Sequence, residues 1–418
     1  MGVLKRKQGI FLIVVTCLMY AVAYLGRLSY AANKIAIGES LGVMETALRG
    51  LVESFLFFAY GLGQVLNVFL ARWYHPKFAV TIGMLVTGAC NFLMTVVTDL
   101  SAMNVIWMIN GAAQSVFWCN LLNVQSKFLS KKQIGACIIT NGFSYCFGTC
   151  AIYGLSAIFI AINWRITFYI VSALSLAIAA LWFFTVHSAE RAEKVPDPDE
   201  IRVLETDEPA QENKTKLITP YFALILCFAL LVAVVNSGVR DGSITYMPTL
   251  MNESFGMDMS LANVVVVGLA IISMFGVFAA KAVTKKIRGY LIVQGVTLVL
   301  ISAVLFASLF AYRSRATVAF VLLFAVVTCL IYGVSNIVTS LIPFGMKKYA
   351  NVGGISALLD AFCYVGSTVA TYAFGALRDA HGWQAVLILI TALSLACGVI
   401  TIVGGLLARK NPITKEVF

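Results

Sequence analysis

Long apolar stretches alternate with short polar or charged breaks along the chain and recur almost to its end. A helix crossing about 30 Å of hydrocarbon needs about 20 mostly apolar residues. On that measure the pattern predicts spans over residues 10–32, 47–70, 78–98, 102–125, 134–160, 164–186, 219–240, 260–283, 290–311, 317–343, 353–375 and 383–407. The chain thus reads as an all-α membrane protein with twelve transmembrane helices. Its first apolar stretch follows Lys5, Arg6 and Lys7 as a signal peptide would, but it is too long and lacks a small-residue cleavage site. We read it as a retained first helix.

Composition agrees. Of 418 residues, 60% are hydrophobic and 12% charged, against about 45–50% apolar and about 25% charged in soluble domains. The ten cysteines fall inside predicted spans with no CxxC pair or Cys/His cluster, which marks them as packing residues and gives no reason to expect a metal or other cofactor. His75, His187 and His381 lie at helix ends or in loops, so no buried histidine relay is available. There is no GxxxxGK[ST] phosphate loop and no nucleophile paired with a base, which disfavours ATP-driven transport and any enzyme.

A net charge of +11 would suit nucleic acid, but the placement of Lys and Arg follows topology instead, and no nucleic-acid partner is expected. Clusters at Lys5 to Lys7, Arg72 and Lys77, Lys127 to Lys132, Lys281 to Arg288, Lys347 and Lys348, and Arg409 to Lys415 mark one side. Lys34, Arg49, Arg165, Arg313, Arg315 and Arg378 are assigned to the other. The positive-inside rule then puts both termini in the cytoplasm, and we expect a plasma (inner) membrane. Arg27 in the first span and Arg240 in the seventh belong to no loop. A lone guanidinium costs at least about 2.5–3.5 kcal/mol to insert, so each either faces a watery path or binds an anion. Both come late in their predicted spans, where a side chain can also snorkel to the interface.

The halves repeat. An offset of 219 residues lays Asn141-Gly-Phe-Ser-Tyr145 over Asp360-Ala-Phe-Cys-Tyr364, Trp164 over Trp383, and Ser172-Ala-Leu-Ser-Leu-Ala177 over Thr391-Ala-Leu-Ser-Leu-Ala396. We expect an N-terminal six-helix half over 1–186, an acidic cytoplasmic linker over 187–218 and a C-terminal half over 219–418, with a substrate pathway between the halves. Arg27 and Arg240 then occupy equivalent helices facing one cavity.

Tyr20, Tyr24 and Arg27, spaced i, i+4, i+7, share a helix face. Two phenols and a guanidinium suit an oxyanion bearing hydroxyls, and arginine grips phosphate or carboxylate in a two-pronged fashion. The intramembrane acids are few: Glu53 early in the second span, Asp360 in the eleventh and Asp241 directly after Arg240; of these, Glu53 reads as interfacial. Asp360 is either a counter-charge to an arginine or a proton-coupling group.

At these residues the chain resembles the organophosphate:phosphate antiporters, a major-facilitator family that includes glycerol-3-phosphate and hexose-phosphate exchangers. Tyr20-x3-Tyr24-x2-Arg27 is similar to its helix-one signature, and Arg240 followed by Met247-Pro248-Thr249 to its helix-seven arginine and Ser-Pro-Thr turn. Tyr60-Gly61, Ile331-Tyr332-Gly333, Pro343 to Lys348 and Asp379-x2-Gly382-Trp383 extend the likeness. The resemblance implies a major-facilitator fold of two pseudo-symmetric halves. It also implies exchange of a small phosphorylated organic anion for inorganic phosphate, with Arg27 and Arg240 on the phosphoryl group. Gln64, Asn141, Ser144, Thr245, Tyr332, Asp360 and Tyr364 complete the candidate substrate-binding set. Gln64 stands where the glycerol-phosphate members have lysine and Ser144 where they have histidine, and Thr245 replaces an acid or polar residue. These departures point to a larger or less anionic substrate. Proton-coupled symport through Asp360 and a transporter-like sugar-phosphate sensor are the alternatives. The expected partners are the lipid bilayer, the anionic substrate and phosphate, with the chain a monomer.

Overall fold

The computed structural model of the chain describes residues 2–70, 73–192, 195–196, 220–287, 289–345 and 352–409. Nearly all of them are helical: α1 (Arg6–Leu41), α2 (Thr46–Leu70), α3 (Pro76–Met94), α4 (Leu100–Gln114), α5 (Phe117–Phe128), α6 (Lys131–Asn163) and α7 (Arg165–Arg191), followed by α8 (Pro220–Phe255), α9 (Met259–Lys286), α10 (Tyr290–Arg313), α11 (Thr317–Asn336), α12 (Ile342–Gly345) and α13 (Val352–Arg409). Ten helical stretches among the described residues are long and apolar enough to cross a membrane. The last of these breaks at Gly382, whose φ of 76° ends one helix and starts another. With that break, and with α2, the layout contains the twelve crossings that the apolar pattern predicts.

Local signals set the ends. His75 caps α3 with Pro76 at its first position. Asp99 and Asp258 accept from backbone N–H groups at the starts of α4 and α9, and Ser130 and Gln133 form a reciprocal capping box on α6. Gly42, with φ 69°, closes α1 in the left-handed conformation. The tenth crossing is interrupted by a π-helical turn over Ile337–Leu341. Pro343 lacks the N–H that would bond the Thr339 carbonyl, which loosens the turn just before it.

Three expectations change here. α1 and α8 each run 36 residues, so Arg27 and Arg240 are followed by about four more turns of helix and cannot snorkel to a nearby interface. Pro248 lies inside α8 instead of forming a turn. The stretch assigned to the linker begins as helix, since α7 continues to Arg191 and Glu190 accepts from Lys77 at 2.7 Å. Val195–Pro196 pairs as a two-residue strand with Gly2–Val3. Most of the remaining linker, Arg72, Lys347, Lys348 and the residues from 410 onward lie outside the described residues.

The repeat governs packing. α1 packs on α6 and α8 on the first part of α13; α3 packs on α7 and α10 on the last part of α13; α2 packs on α4 and α9 on α11. The two halves meet along two seams, α2 against α13 and α6 against α9, which the repeat exchanges. Phe11, Phe58, Phe69, Phe184 and Phe275 point outward, as expected for lipid-facing positions. Lipid tails offer no hydrophobic drive between helices, so close backbone approach matters more. A Cβ on Gly111 would lie 2.2 Å from the Leu56 carbonyl oxygen across the α2–α4 contact, whereas one on Gly154 would meet nothing within 4 Å. Gly111→Ala is therefore expected to destabilise the purified protein by about 1–3 kcal/mol, read as a lowered thermal midpoint. Gly154→Ala should be neutral or stabilising by up to about 1 kcal/mol. Equal midpoints for the two variants would contradict this packing.

Candidate functional site

A cavity of about 210 Å³ lies between the halves, lined from the N-terminal half by Tyr24, Arg27, Leu28, Phe57 and Tyr145 and from the C-terminal half by residues including Arg240, Asp241, Thr245, Tyr332, Ser335 and Tyr364. It is smaller than the ~300–1,000 Å³ clefts that hold drug-sized ligands, so its room suits a small solute. A larger cavity of about 570 Å³ opens near Glu253, Arg313, Arg315 and Arg378. There Arg378 pairs with Glu253 at 2.7 Å and Arg315 donates to the Ser254 carbonyl at 2.8 Å.

Arg27 is only 5% exposed. Its Nε donates to Gln114 Oε1 at 3.2 Å and its Nη1 to the Tyr364 hydroxyl at 3.1 Å. The guanidinium lies 4.2 Å from the Tyr60 ring centre and 5.0 Å from that of Tyr24, within cation–π range. A polar chain holds Gln114 in place: its amide donates to Asn110 Oδ1 at 3.1 Å, and Asn110 and Asn91 both donate to the Gly26 carbonyl, next to Arg27 in sequence. Among the described residues no carboxylate forms an ion pair with Arg27.

Arg240 is arranged differently. Its Nε and Nη2 grip both oxygens of Asp241 at 2.6 and 2.9 Å, and its Nη1 donates to Ser335 Oγ at 3.1 Å. Asp241 accepts a further bond from Ser367 Oγ at 2.5 Å. Asp241, the adjacent residue, is thus the counter-charge of Arg240. Asp360, expected in that role, forms no ion pair or hydrogen bond among the described residues.

Of the candidate residues, Tyr24, Arg27, Arg240, Thr245, Tyr332 and Tyr364 line the cavity, and Tyr20, Gln64, Asn141, Ser144 and Asp360 do not. Tyr20 packs edge-on against Tyr24 at 5.2 Å and beside Trp118. Gln64 donates to the Tyr60 hydroxyl at 3.1 Å and so steadies the ring over Arg27. Asn141 exchanges amide hydrogen bonds with Gln125, and Ser144 donates to the Thr140 carbonyl at 3.0 Å; their polar groups are already committed. Asp241, legible in the sequence as an intramembrane acid, lines the cavity, as do Tyr145, Ser335, Asn336 and Thr339, which were not among the candidate site residues. The repeat held a signal for Tyr145, which matches Tyr364. Ser335, Asn336 and Thr339 are turned inward near the π-helical turn, for which the only hint was Pro343.

A second buried charge pair was also missed. Lys34 and Glu53, assigned to the outer loops and to the interface, are 2% and 4% exposed and paired at 3.1 Å. The Lys34 ammonium lies 3.7 Å from the Tyr246 ring centre of the other half. α1 continues past its predicted end, which carries Lys34 inside. Around this pair the halves are tied together: Asp379 accepts from the Thr46 and Ala47 N–H groups at 3.1 and 2.8 Å, Ser54 and Thr371 share a hydrogen bond at 2.7 Å, and the Tyr246 hydroxyl, which donates to the Thr371 carbonyl within its own half, also reaches the Thr46 carbonyl at 3.4 Å. All of these ties lie toward the membrane face opposite the described chain ends. Nearer those ends, the hydroxyls of Tyr145 and Tyr332 meet across the cavity.

Two outcomes follow. Gln114→Leu should lower the ligand-free thermal midpoint, by about 1–3 kcal/mol of stability, because it strands the buried Arg27 Nε donor and the Asn110 amide oxygen. Glu53→Gln should destabilise the protein by about 3–5 kcal/mol because it strands a buried ammonium, whereas a Lys34→Met/Glu53→Leu double variant should recover most of that loss. A double variant no more stable than the single one would rule out the pairing.

Residues 16–371 match the family described as Major Facilitator Superfamily. The chain is 22% identical over 400 residues to the "Membrane sensor protein UhpC" of Escherichia coli, covering 91% of this chain and 88% of that one. It is 23% identical to a "Probable hexose phosphate transport protein" of Chlamydia pneumoniae, covering 89% and 86%. Among solved structures, a D-xylose-proton symporter superposes with a TM-score of 0.74 over 94% of this chain and 97% of its own, at 11% identity. A bacterial homolog of the lysosomal transporter Spinster gives 0.68 at 15% identity. These last two likenesses concern the fold.

Proposed function

The chain belongs to the Major Facilitator Superfamily, and from that premise we propose that it exchanges a small phosphorylated organic anion for inorganic phosphate by alternating access. The observation that carries this reading is Arg27, a buried guanidinium held by neutral groups at a cavity between the halves. A charge left unpaired in a low-dielectric site is costly, and an anionic solute relieves that cost. The relative named for hexose phosphate transport supports a phosphorylated solute. In this reading residues 1–186 and 219–418 are the two rocking halves, both termini are cytoplasmic, and the protein is a monomer of the plasma (inner) membrane.

The same charge accounts for exchange. An empty carrier would have to pass through an occluded state with Arg27 uncompensated, whereas an anion-loaded one would not. Occupied carriers therefore cross more readily, and flux in one direction demands a return load. Each crossing must break the α2–α13 ties at Asp379 and Thr371 and remake contacts along the α6–α9 seam.

A second reading, proton-coupled symport, is favoured by Asp360, an acid within the membrane that forms no ion pair among the described residues. One set of experiments separates the readings. Phosphate-loaded proteoliposomes are expected to take up a labelled organic phosphate ester, with Arg27→Lys removing uptake and Arg240→Lys reducing it. Full exchange in both variants would end the anion-site reading. Uptake that needs no internal phosphate but collapses with the proton gradient and with Asp360→Asn would favour symport. Binding with no flux would favour a sensor.

A further inference from the structure

We propose that Asp241 occupies the anion position of Arg240, so that the cavity selects a singly charged phosphoryl group, such as a phosphodiester, over a doubly charged monoester. The proposal rests on the reading of the cavity as an anion site. It begins from the contrast between the two arginines. Asp241 meets Nε and Nη2 of Arg240 with both oxygens, at 2.6 and 2.9 Å, the two-pronged geometry that a phosphate would use. Neighbouring residues on a helix do not ordinarily face one another. Here both side chains are turned to the cavity, and the long arginine reaches back along it.

The pair is also anchored. Ser367 Oγ holds Asp241 Oδ2 at 2.5 Å. The remaining amino group of Arg240 is spent on Ser335 Oγ, which in turn accepts from Asn236 at 2.8 Å. A solute that displaced Asp241 would break these bonds and leave a carboxylate beside its own charge. Arg27, by contrast, donates to neutral acceptors only. The charged groups lining the cavity are Arg27, Arg240 and Asp241, which leaves one positive charge for the solute. Asp360, one helical turn before Tyr364, does not line the cavity. A single negative charge completes the balance at Arg27. A second would meet Asp241, and like charges in a poorly screened site repel strongly.

The test is ligand-dependent thermal stabilisation of the purified protein by dimethyl phosphate and by methyl phosphate. At about pH 8, roughly two units above a second phosphate pKa of about 6, the diester carries one charge and the monoester two. Wild-type protein is expected to bind the diester about tenfold more tightly, the order of one close like-charge contact, and Asp241→Asn to reverse that preference. An Arg240→Gln/Asp241→Asn double variant removes the carboxylate together with its guanidinium and should lose the preference for the diester, which decides the matter even if the single variant does not fold. A wild-type preference for the monoester, an unchanged ratio in Asp241→Asn, or a diester preference kept at the wild-type ratio in the double variant would overturn the proposal. Wild-type binding of either ligand that persists in Arg27→Gln, or stabilisation of wild-type protein by neither ligand, would instead overturn the anion-site reading beneath it.

Discussion

The free-energy cost of a positive charge held away from water organises the centre of this molecule. Arg27 is buried, and its immediate surroundings answer the charge with neutral groups: a glutamine oxygen, a phenol hydroxyl and the faces of two tyrosine rings. Each offers a partial negative charge, and none cancels the whole. The amide chain through Gln114 and Asn110 to the Gly26 carbonyl returns to the turn of α1 that bears Arg27. The arginine is thereby oriented without being neutralised, which leaves a site that is poised for an anion.

Arg240 occupies the matching helix of the second half, yet the repeat has drifted at this point. Asp241 supplies internally what Arg27 lacks, so the two halves present unequal faces to whatever enters between them. Symmetry of the backbone has been kept while symmetry of charge has not. The backbone symmetry is read in the seams, where α2 meets α13 and α6 meets α9. Because the repeat exchanges these seams, a rocking motion that opens one and closes the other uses a single packing scheme twice. In the arrangement described here, hydrogen bonds from Asp379 to the start of α2, from Ser54 to Thr371 and from Tyr246 to the Thr46 carbonyl join the halves toward one membrane face.

The amino-acid sequence alone determined a good deal. Apolar run length dictates which segments cross a bilayer, because hydrocarbon thickness sets a minimum helix length and leaves no other backbone arrangement satisfied. The repeat around Trp164 and Trp383 made the two halves legible, and with them the equivalence of Arg27 and Arg240. Charged residues deep in apolar runs stand out for the same solvation reason. The short motifs around Tyr24, Arg27 and Arg240 pointed to the family that the later match supports.

Only the tertiary structure decided what each polar residue faces. Hydropathy ended α1 and α8 too soon, since polar residues such as Lys34 and Asp241 look like interface until a partner across the bundle is known. Lys34 is buried because Glu53 comes to it from α2, and Asp360 gives way to Asp241 because the nearer carboxylate takes the guanidinium first. Gln64, Asn141 and Ser144 lie in membrane spans as read, yet their side chains are satisfied by neighbours instead of by the cavity. A linear pattern reports that a polar group is inside the membrane. Which way it points, and whether its hydrogen bonds are already filled, depends on helix rotation and on contacts between residues distant in sequence.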